Sequence, residues 1–257
     1  MLPFGWLKYR FCKFVLAWDA RILRGRERVE AWTERRRFFF LRLPPGTRSL
    51  IALCTLVYLI QATLFAVSLA HDWGFDRAIE FAFGLVPRLL EKGFWWQPFT
   101  YALLHLGWWH LLLNMLGVAL MGAAIEWRFG KRAFWLVFWL GALCGAAGFL
   151  IHQTALYGWG SRRFCMGASG GVSALLGALL AGIPAKNRVT LLIGFIIPVR
   201  LRVRLAIVVI LGLNLCEALF LANYVAWAAH LGGFLCGILL GTLCRWREEL
   251  ESLCRLD

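Results

Sequence analysis

From Ser49 to Ala70 the chain runs 22 residues without a charged side chain. A helix needs about 20 apolar residues to cross ~30 Å of hydrocarbon, so this run reads as a membrane span. Four further stretches repeat the arithmetic. No Lys, Arg, Asp or Glu occurs between Gly93 and Ile125, which places a second span from about Ala102. Ala133 to about Gln153 is a third, and Gly167 to about Ile183 a shorter fourth, rich in Gly and Ala. Leu205 to Cys244 holds a fifth and a sixth, divided around Ala222-Asn223-Tyr224. Val189 to Val199 is apolar but too short to cross, and reads as a loop at the interface. The expected fold class is an all-α polytopic membrane protein, a bundle of six transmembrane helices.

Composition agrees. Hydrophobic residues make up 61% of the chain and charged residues 16%, against about 45–50% and 25% in soluble domains. This excludes a disordered chain and an ordinary soluble enzyme. Fourteen Trp and twenty Phe supply the aromatic load of interfacial belts. A net charge of +14 suggests nucleic-acid binding at first sight, but no such motif occurs and the cations fall between apolar runs. The eight cysteines (12, 54, 144, 165, 216, 236, 244 and 254) include no CxxC pair, and read as free, buried, small hydrophobes. Cys165, near a loop, is the one placed for a disulfide, and it lacks an obvious partner.

With the N-terminus inside, 23 of the 28 basic residues fall on the inner side, and Arg77, Arg88, Lys92, Arg162 and Arg163 on the outer. By the positive-inside rule both termini are cytoplasmic, and the expected location is the inner (plasma) membrane of a bacterium. Residues 1–48 form a basic cytoplasmic arm, 49–245 the six-span domain and 246–257 a cytoplasmic tail. In the arm Phe11, Phe14, Val15, Trp18 and Ile22 recur at helical spacing, with Lys13, Arg21 and Arg24 off that face. This suits an amphipathic helix on anionic lipid; a solvated basic tail is the other reading. Charge and length rule out a cleavable signal peptide.

Ionisable groups inside spans are costly and mark functional candidates. They are His105, His110 and Asn114 in the second span, Ser169 and Ser173 in the fourth, Asn214 and Glu217 in the fifth, and His230 in the sixth. The even-numbered spans all run from outside to inside. His110, Asn114, Ser169 and His230 therefore reach a similar depth below the outer face. Small residues recur each turn at Ser169, Ser173, Gly177 and Ala181, and again at Gly233, Gly237 and Gly241, which lets two membrane helices approach backbone to backbone. A Ser and a His atop such stripes could form the minimum nucleophile–base pair for acyl transfer. Gly167-Ala168-Ser169-Gly170 sets Ser169 at a helix start, where free N–H groups favour an oxyanion. His110 and Asn114, on one helical face, can both donate to it. No carboxylate stands beside His230 unless Glu217 bends toward it, so a dyad is the economical reading.

Four spaced motifs then carry a resemblance. His105-x4-His110-x3-Asn114, Gly122-x3-Glu126-x3-Gly130, Gly167-Ala168-Ser169-Gly170 and Ala229-His230-x2-Gly233-x3-Gly237 resemble the rhomboid intramembrane serine proteases. Trp96-Gln97-Pro98-Phe99-Thr100 is similar to the family's entry to the second span, and the match covers roughly residues 50–245. The resemblance implies Ser169 as nucleophile, His230 as general base, and His110, Asn114 and the Ser169 N–H as oxyanion donors. It implies Glu126 as a structural anchor, with Gly167, Gly170, Gly233 and Gly237 as structural positions near the site. It also implies transmembrane protein substrates, cut near the outer surface, and no metal or organic cofactor. Membrane lipids are the other expected partners; nucleic acid is not one, and the sequence leaves the oligomeric state open. Residues 71–101, with Trp73, Phe75, Trp95 and Trp96, match the family's partly embedded outer loop. Gln97 stands where some members carry Arg, and Ser173 where an aromatic often packs on the catalytic His.

Each residue also has a plainer role. His105 caps or hydrogen-bonds the start of the second span, and His152 is interfacial. Asn214 and Glu217 bond neighbouring helices or, less directly, gate substrate. Two other functions compete. A rhomboid-fold protein that binds transmembrane clients without cutting them typically lacks the Ser or the His, and this chain keeps both. A proton-coupled transporter would use the His and Glu as a relay, but the spans show no internal repeat.

Overall fold

The computed structural model of the chain describes residues 43–71, 78–184, 186–193, 197–221 and 226–253. The amphipathic pattern of residues 11–24 lies outside them. In chain order the elements are α1 (Pro45–Ala70), three short outer-loop helices α2 (Ala78–Phe83), α3 (Pro87–Glu91) and α4 (Gln97–Thr100), and a 3-10 turn at Tyr101–Leu103. Then come α5 (Trp108–Phe129), α6 (Lys131–Tyr157), α7 (Ser169–Ala181), β1 (Arg188–Ile193), β2 (Ile197–Arg202), α8 (Val203–Phe220) and α9 (Trp227–Leu253). The protein is a helical membrane bundle. Among the described residues, helices α1, α5, α6, α8 and the Trp227–Arg245 part of α9 are the five long and apolar enough to cross a bilayer.

The expected fourth span is the exception. Helix α7 has 13 residues, a length of about 20 Å at 1.5 Å per residue, short of the roughly 20 residues a crossing takes. It is enclosed by its neighbours, with Gly170, Gly171, Ala174, Leu175, Gly177, Ala178, Leu180 and Ala181 all buried, so protein rather than length decides where it ends. Three other boundaries move. The second span begins at Trp108 rather than Ala102, because residues 97–103 fold as short turns tied to the outer loop. Where a loop at the interface is expected over Val189–Val199, residues 188–193 and 197–202 pair as antiparallel strands, Val189 opposite Leu201. Helix α9 runs on to Leu253, through the start of the expected C-terminal tail.

Helices α7 and α9 meet through their backbones. A methyl group added at Gly233, Gly237 or Gly241 would collide with the carbonyl oxygen of Gly170, Ala174 or Ala178 respectively. On the α7 side this seam is Gly170-Ala174-Ala178 together with Gly177 of the expected stripe, where a methyl would strike the Phe234 oxygen. Ser169, one residue before Gly170, lies at the top of the seam with its side chain reaching His230 across it. Helix α6 closes on the same pair: a methyl at Gly141 would strike Ala174, and one at Gly145 would lie 2.9 Å from the Ala229 oxygen.

Glu126 fixes α1. Its carboxylate is 5% exposed, yet it accepts from the Gly46 N–H at 2.8 Å, the Thr47 N–H at 2.7 Å and the Thr47 hydroxyl at 2.9 Å. These amides belong to the first turn of α1, where N–H groups lack intrahelical acceptors and the dipole favours an anion. A distant helix thus supplies the cap that Pro44, the residue before α1, does not.

Four of the free cysteines divide evenly. Cys54 and Cys165 are buried, whereas Cys144 and Cys216 are exposed on the outside of the bundle, where an apolar surrounding suits a thiol as well as a core does. Replacing Glu126 by Ala strands three buried donors. We expect Glu126→Ala to lower stability by about 3 kcal/mol, read as a drop in the thermal midpoint of the purified protein in detergent.

Candidate active site

The loop before α7 is held on both sides. Leu85 N–H donates to the Cys165 oxygen, and Cys165 N–H to the Leu85 oxygen, each at 2.9 Å. Burial pushes the Cys165 thiol up to about 12, so it stays a protonated, unpaired group beneath the loop. Two residues on, Gly167 N–H donates to the Tyr101 oxygen at 2.9 Å. Gly167 has φ +130°, a left-handed conformation that favours glycine. A methyl there would also lie 2.6 Å from Cε1 and 2.9 Å from Nε2 of His110. Gly167 thus lets the His110 ring lie against the backbone that leads into Ser169.

Ser169 opens α7, and the first intrahelical bond comes from Val172 N–H to the Ala168 oxygen at 2.9 Å. The N–H groups of the first turn therefore have no acceptor within the helix. The Ser169 hydroxyl lies 3.0 Å from His230 Nε2. On the other side of the same ring, His230 Nδ1 lies 3.0 Å from Glu217 Oε2 on α8. Three helices, α7, α9 and α8, thus contribute one chain of hydrogen bonds. Both the His230 and Glu217 side chains are half-buried. Ser173, one turn deeper, makes no hydrogen bond among the described residues.

His110 Nδ1 accepts from the Leu106 N–H at 3.4 Å, which leaves Nε2, the nitrogen facing Gly167, as the proton carrier of the neutral ring. Asn114 is buried, and its amide donates to the His110 carbonyl at 2.8 Å; its second amide hydrogen is not used by that bond. His105 was expected to cap or bond the start of the second span. It lies before α5, fully buried, with its backbone exchanging hydrogen bonds with the Gln61 side chain at 3.0 and 3.3 Å. Its ring makes no hydrogen bond and packs edge-on against His110, centroids 5.3 Å apart. His152 pairs with Gln153 and packs on Trp227. Asn214 bonds its own helix, donating to the Ile210 oxygen at 3.1 Å, rather than a neighbour.

The sequence pattern did not point to Tyr101, and it marked Gln97 only as a departure from the family's Arg. Tyr101 is buried and donates to the Ala142 oxygen at 2.6 Å; a methyl on Gly170 would lie 3.0 Å from its hydroxyl. It wedges the outer loop against the turn that carries Ser169. Gln97, in place of an Arg, is fully buried. It accepts from Val86 N–H at 3.0 Å and donates to the Phe81 oxygen at 2.9 Å. Trp96 and Thr100 add donors to the Ala82 and Phe83 oxygens at 2.8 and 2.6 Å. Neutral hydrogen bonds stitch the loop where an ion contact was in question. Glu217 was legible by one signal: Glu217 and His230 lie equally far from the centre of the connection between their helices, and such residues reach the same depth on an antiparallel pair.

The sequence relationships agree with this architecture. A family model for the rhomboid domain matches residues 92–247. YdcA of Bacillus subtilis is 29% identical over 210 residues, 82% of this chain and 94% of its own length. RHOMBOID-like protein 5 of Arabidopsis thaliana is 32% identical over 167 residues, 63% of this chain and 48% of its own. The rhomboid protease GlpG of Enterobacter sp. (strain 638) is 29% identical over 138 residues, 53% of this chain and 43% of its own. The chain thus spans about half or less of the latter two. With a family model covering most of the chain over a helical membrane bundle, this protein belongs to the rhomboid family.

Proposed function

We propose that this protein is an intramembrane serine endopeptidase that hydrolyses peptide bonds in or near transmembrane segments of membrane-protein substrates. The observation that carries the reading is the 3.0 Å contact between the Ser169 hydroxyl and His230 Nε2. His230 takes the hydroxyl proton as the Ser169 oxygen attacks the scissile carbonyl. It returns that proton to the leaving amine, and water then cleaves the acyl-enzyme by the same route in reverse. The oxyanion is received by the Ser169 N–H at the start of α7, by His110 Nε2–H and by the free amide hydrogen of Asn114. Relatives named rhomboid proteases, GlpG of Enterobacter and GluP of Bacillus subtilis, support the same activity class. The charge asymmetry supports an inner-membrane orientation with both termini cytoplasmic and the site opening toward the outer face.

Four outcomes test this reading. A fluorophosphonate probe should label the protein at Ser169. Ser169→Ala should abolish both labelling and cleavage of a single-span substrate in liposomes, while Ser173→Ala keeps a substantial part of each. A folded but dead Ser173 variant beside an active Ser169 variant would reverse the assignment. His110→Ala and Asn114→Ala should each lower turnover more than they weaken substrate binding, because the donors act on charge that develops in the transition state. Losing one such donor costs ~3–4 kcal/mol elsewhere, roughly a hundred- to thousand-fold in rate; here the remaining donors cover part of the loss. Unchanged turnover in the folded double variant removes both from the site. For orientation, a membrane-impermeant thiol reagent applied from outside should reach Arg162→Cys and not Arg36→Cys, above the parent signal. The opposite pattern overturns the orientation.

A further inference from the structure

We infer that Glu217 is a positioning residue for this site: it holds His230 in the tautomer that can accept the Ser169 proton, and it balances the charge the ring then gains. The inference rests on the protease reading above and extends the expected Ser–His pair to a third helix. The two 3.0 Å contacts lie on opposite nitrogens of one ring. For Nε2 to receive the Ser169 proton it must present a lone pair, so the neutral ring carries its hydrogen on Nδ1. That hydrogen needs an acceptor, and Glu217 Oε2 is the acceptor in place. Once Nε2 is protonated the ring is cationic in an apolar surrounding, and the adjacent carboxylate offsets that charge.

The position of Glu217 gives independent support. It is the only acidic residue between Glu126 and Glu248. Leu219 and Phe220 just beyond it are 67% and 77% exposed. A carboxylate on such a helix is costly unless it is paired, and intramembrane charges that persist are as a rule functional. Helix α8 packs on the bundle at its other end, where Val203 and Ala206 join Leu180 and Phe234. The Glu217–His230 pair ties down the far end, so this part of the site is complete only when α8 is seated.

The test uses the full chain in detergent and in liposomes, with Glu217→Gln and Glu217→Asp beside the parent. Gln keeps the size but can donate its amide hydrogen to Nδ1, which pushes the ring proton onto Nε2 and blocks acceptance from Ser169. In a soluble serine protease the equivalent acid-to-amide change lowers kcat about 10⁴-fold. Here the pair is 21% and 30% exposed, so water can substitute in part, and we expect roughly a ten- to hundred-fold loss. Fluorophosphonate labelling and kcat should fall together in Glu217→Gln with KM within about twofold, and Glu217→Asp should recover part of the rate. Nitrogen-15 NMR of labelled histidines, with His230→Ala to assign the signal, should show the His230 proton on Nδ1 in the parent and on Nε2 in Glu217→Gln. A purely structural role would move neither the tautomer nor kcat alone. Parent-like labelling in Glu217→Gln, or an unchanged His230 tautomer, overturns the inference. Failure of the protease reading looks different: the parent then takes no probe at Ser169 and cuts nothing, while the His230 tautomer still responds to Glu217→Gln.

Discussion

Helices α7 and α9 touch backbone to backbone, and the geometry of the site follows from that contact. Gly233, Gly237 and Gly241 sit on the carbonyls of Gly170, Ala174 and Ala178 with no room for a methyl group. In hydrocarbon, apolar side chains gain little by touching each other rather than lipid, so close van der Waals approach of small residues is what holds two helices. The same closeness sets the reach of the site. Ser169 and His230 are short side chains on different helices, and they span the gap at 3.0 Å because the backbones beneath them are in contact.

A helix enclosed by others need not cross the bilayer. Helix α7 begins at Ser169, and the chain before it descends as an extended loop pinned by Leu85, Tyr101 and the left-handed Gly167. A helix N-terminus is thereby buried among neighbours instead of ending at an interface. Its unsatisfied N–H groups, which would be a liability in lipid, become available to an anion. The same logic appears at the opposite pole of the bundle, where the first turn of α1 is satisfied by Glu126. One terminus is closed by a carboxylate from another helix, and the other is left open beside a serine.

Polar residues in this chain sort by what they touch. Gln97, Trp96 and Thr100 spend their donors on outer-loop carbonyls, Gln61 on the backbone of His105, and Tyr101 on α6. These are fixed joints. His230 differs in being engaged on both ring nitrogens by groups that can exchange protons, and its two partners come from helices on either side.

Local pattern along the chain was enough for the class of fold and the order of its parts. Uncharged runs near 20 residues leave few alternatives to membrane helices, and motif spacing placed Ser169 at a helix start and His110 and Asn114 on one face. Those are local properties, set by neighbours along the chain. What the sequence left undecided was which faces meet and where helices stop for lack of room. The α7 face that meets α9 holds Gly177 of the expected stripe but otherwise Gly170, Ala174 and Ala178, because several small residues are adjacent there and spacing alone cannot choose between faces. The second span was begun at Ala102, since an uncharged run does not show that residues 97–103 bond to a loop. His105 is expected to cap or hydrogen-bond the start of the second span, whereas burial against His110 and backbone bonds with Gln61 define it. Glu217 reached His230 only through the packing of α8 beside α9. Contacts between helices far apart or antiparallel in the chain depend on rotation and depth, which packing sets and local pattern does not.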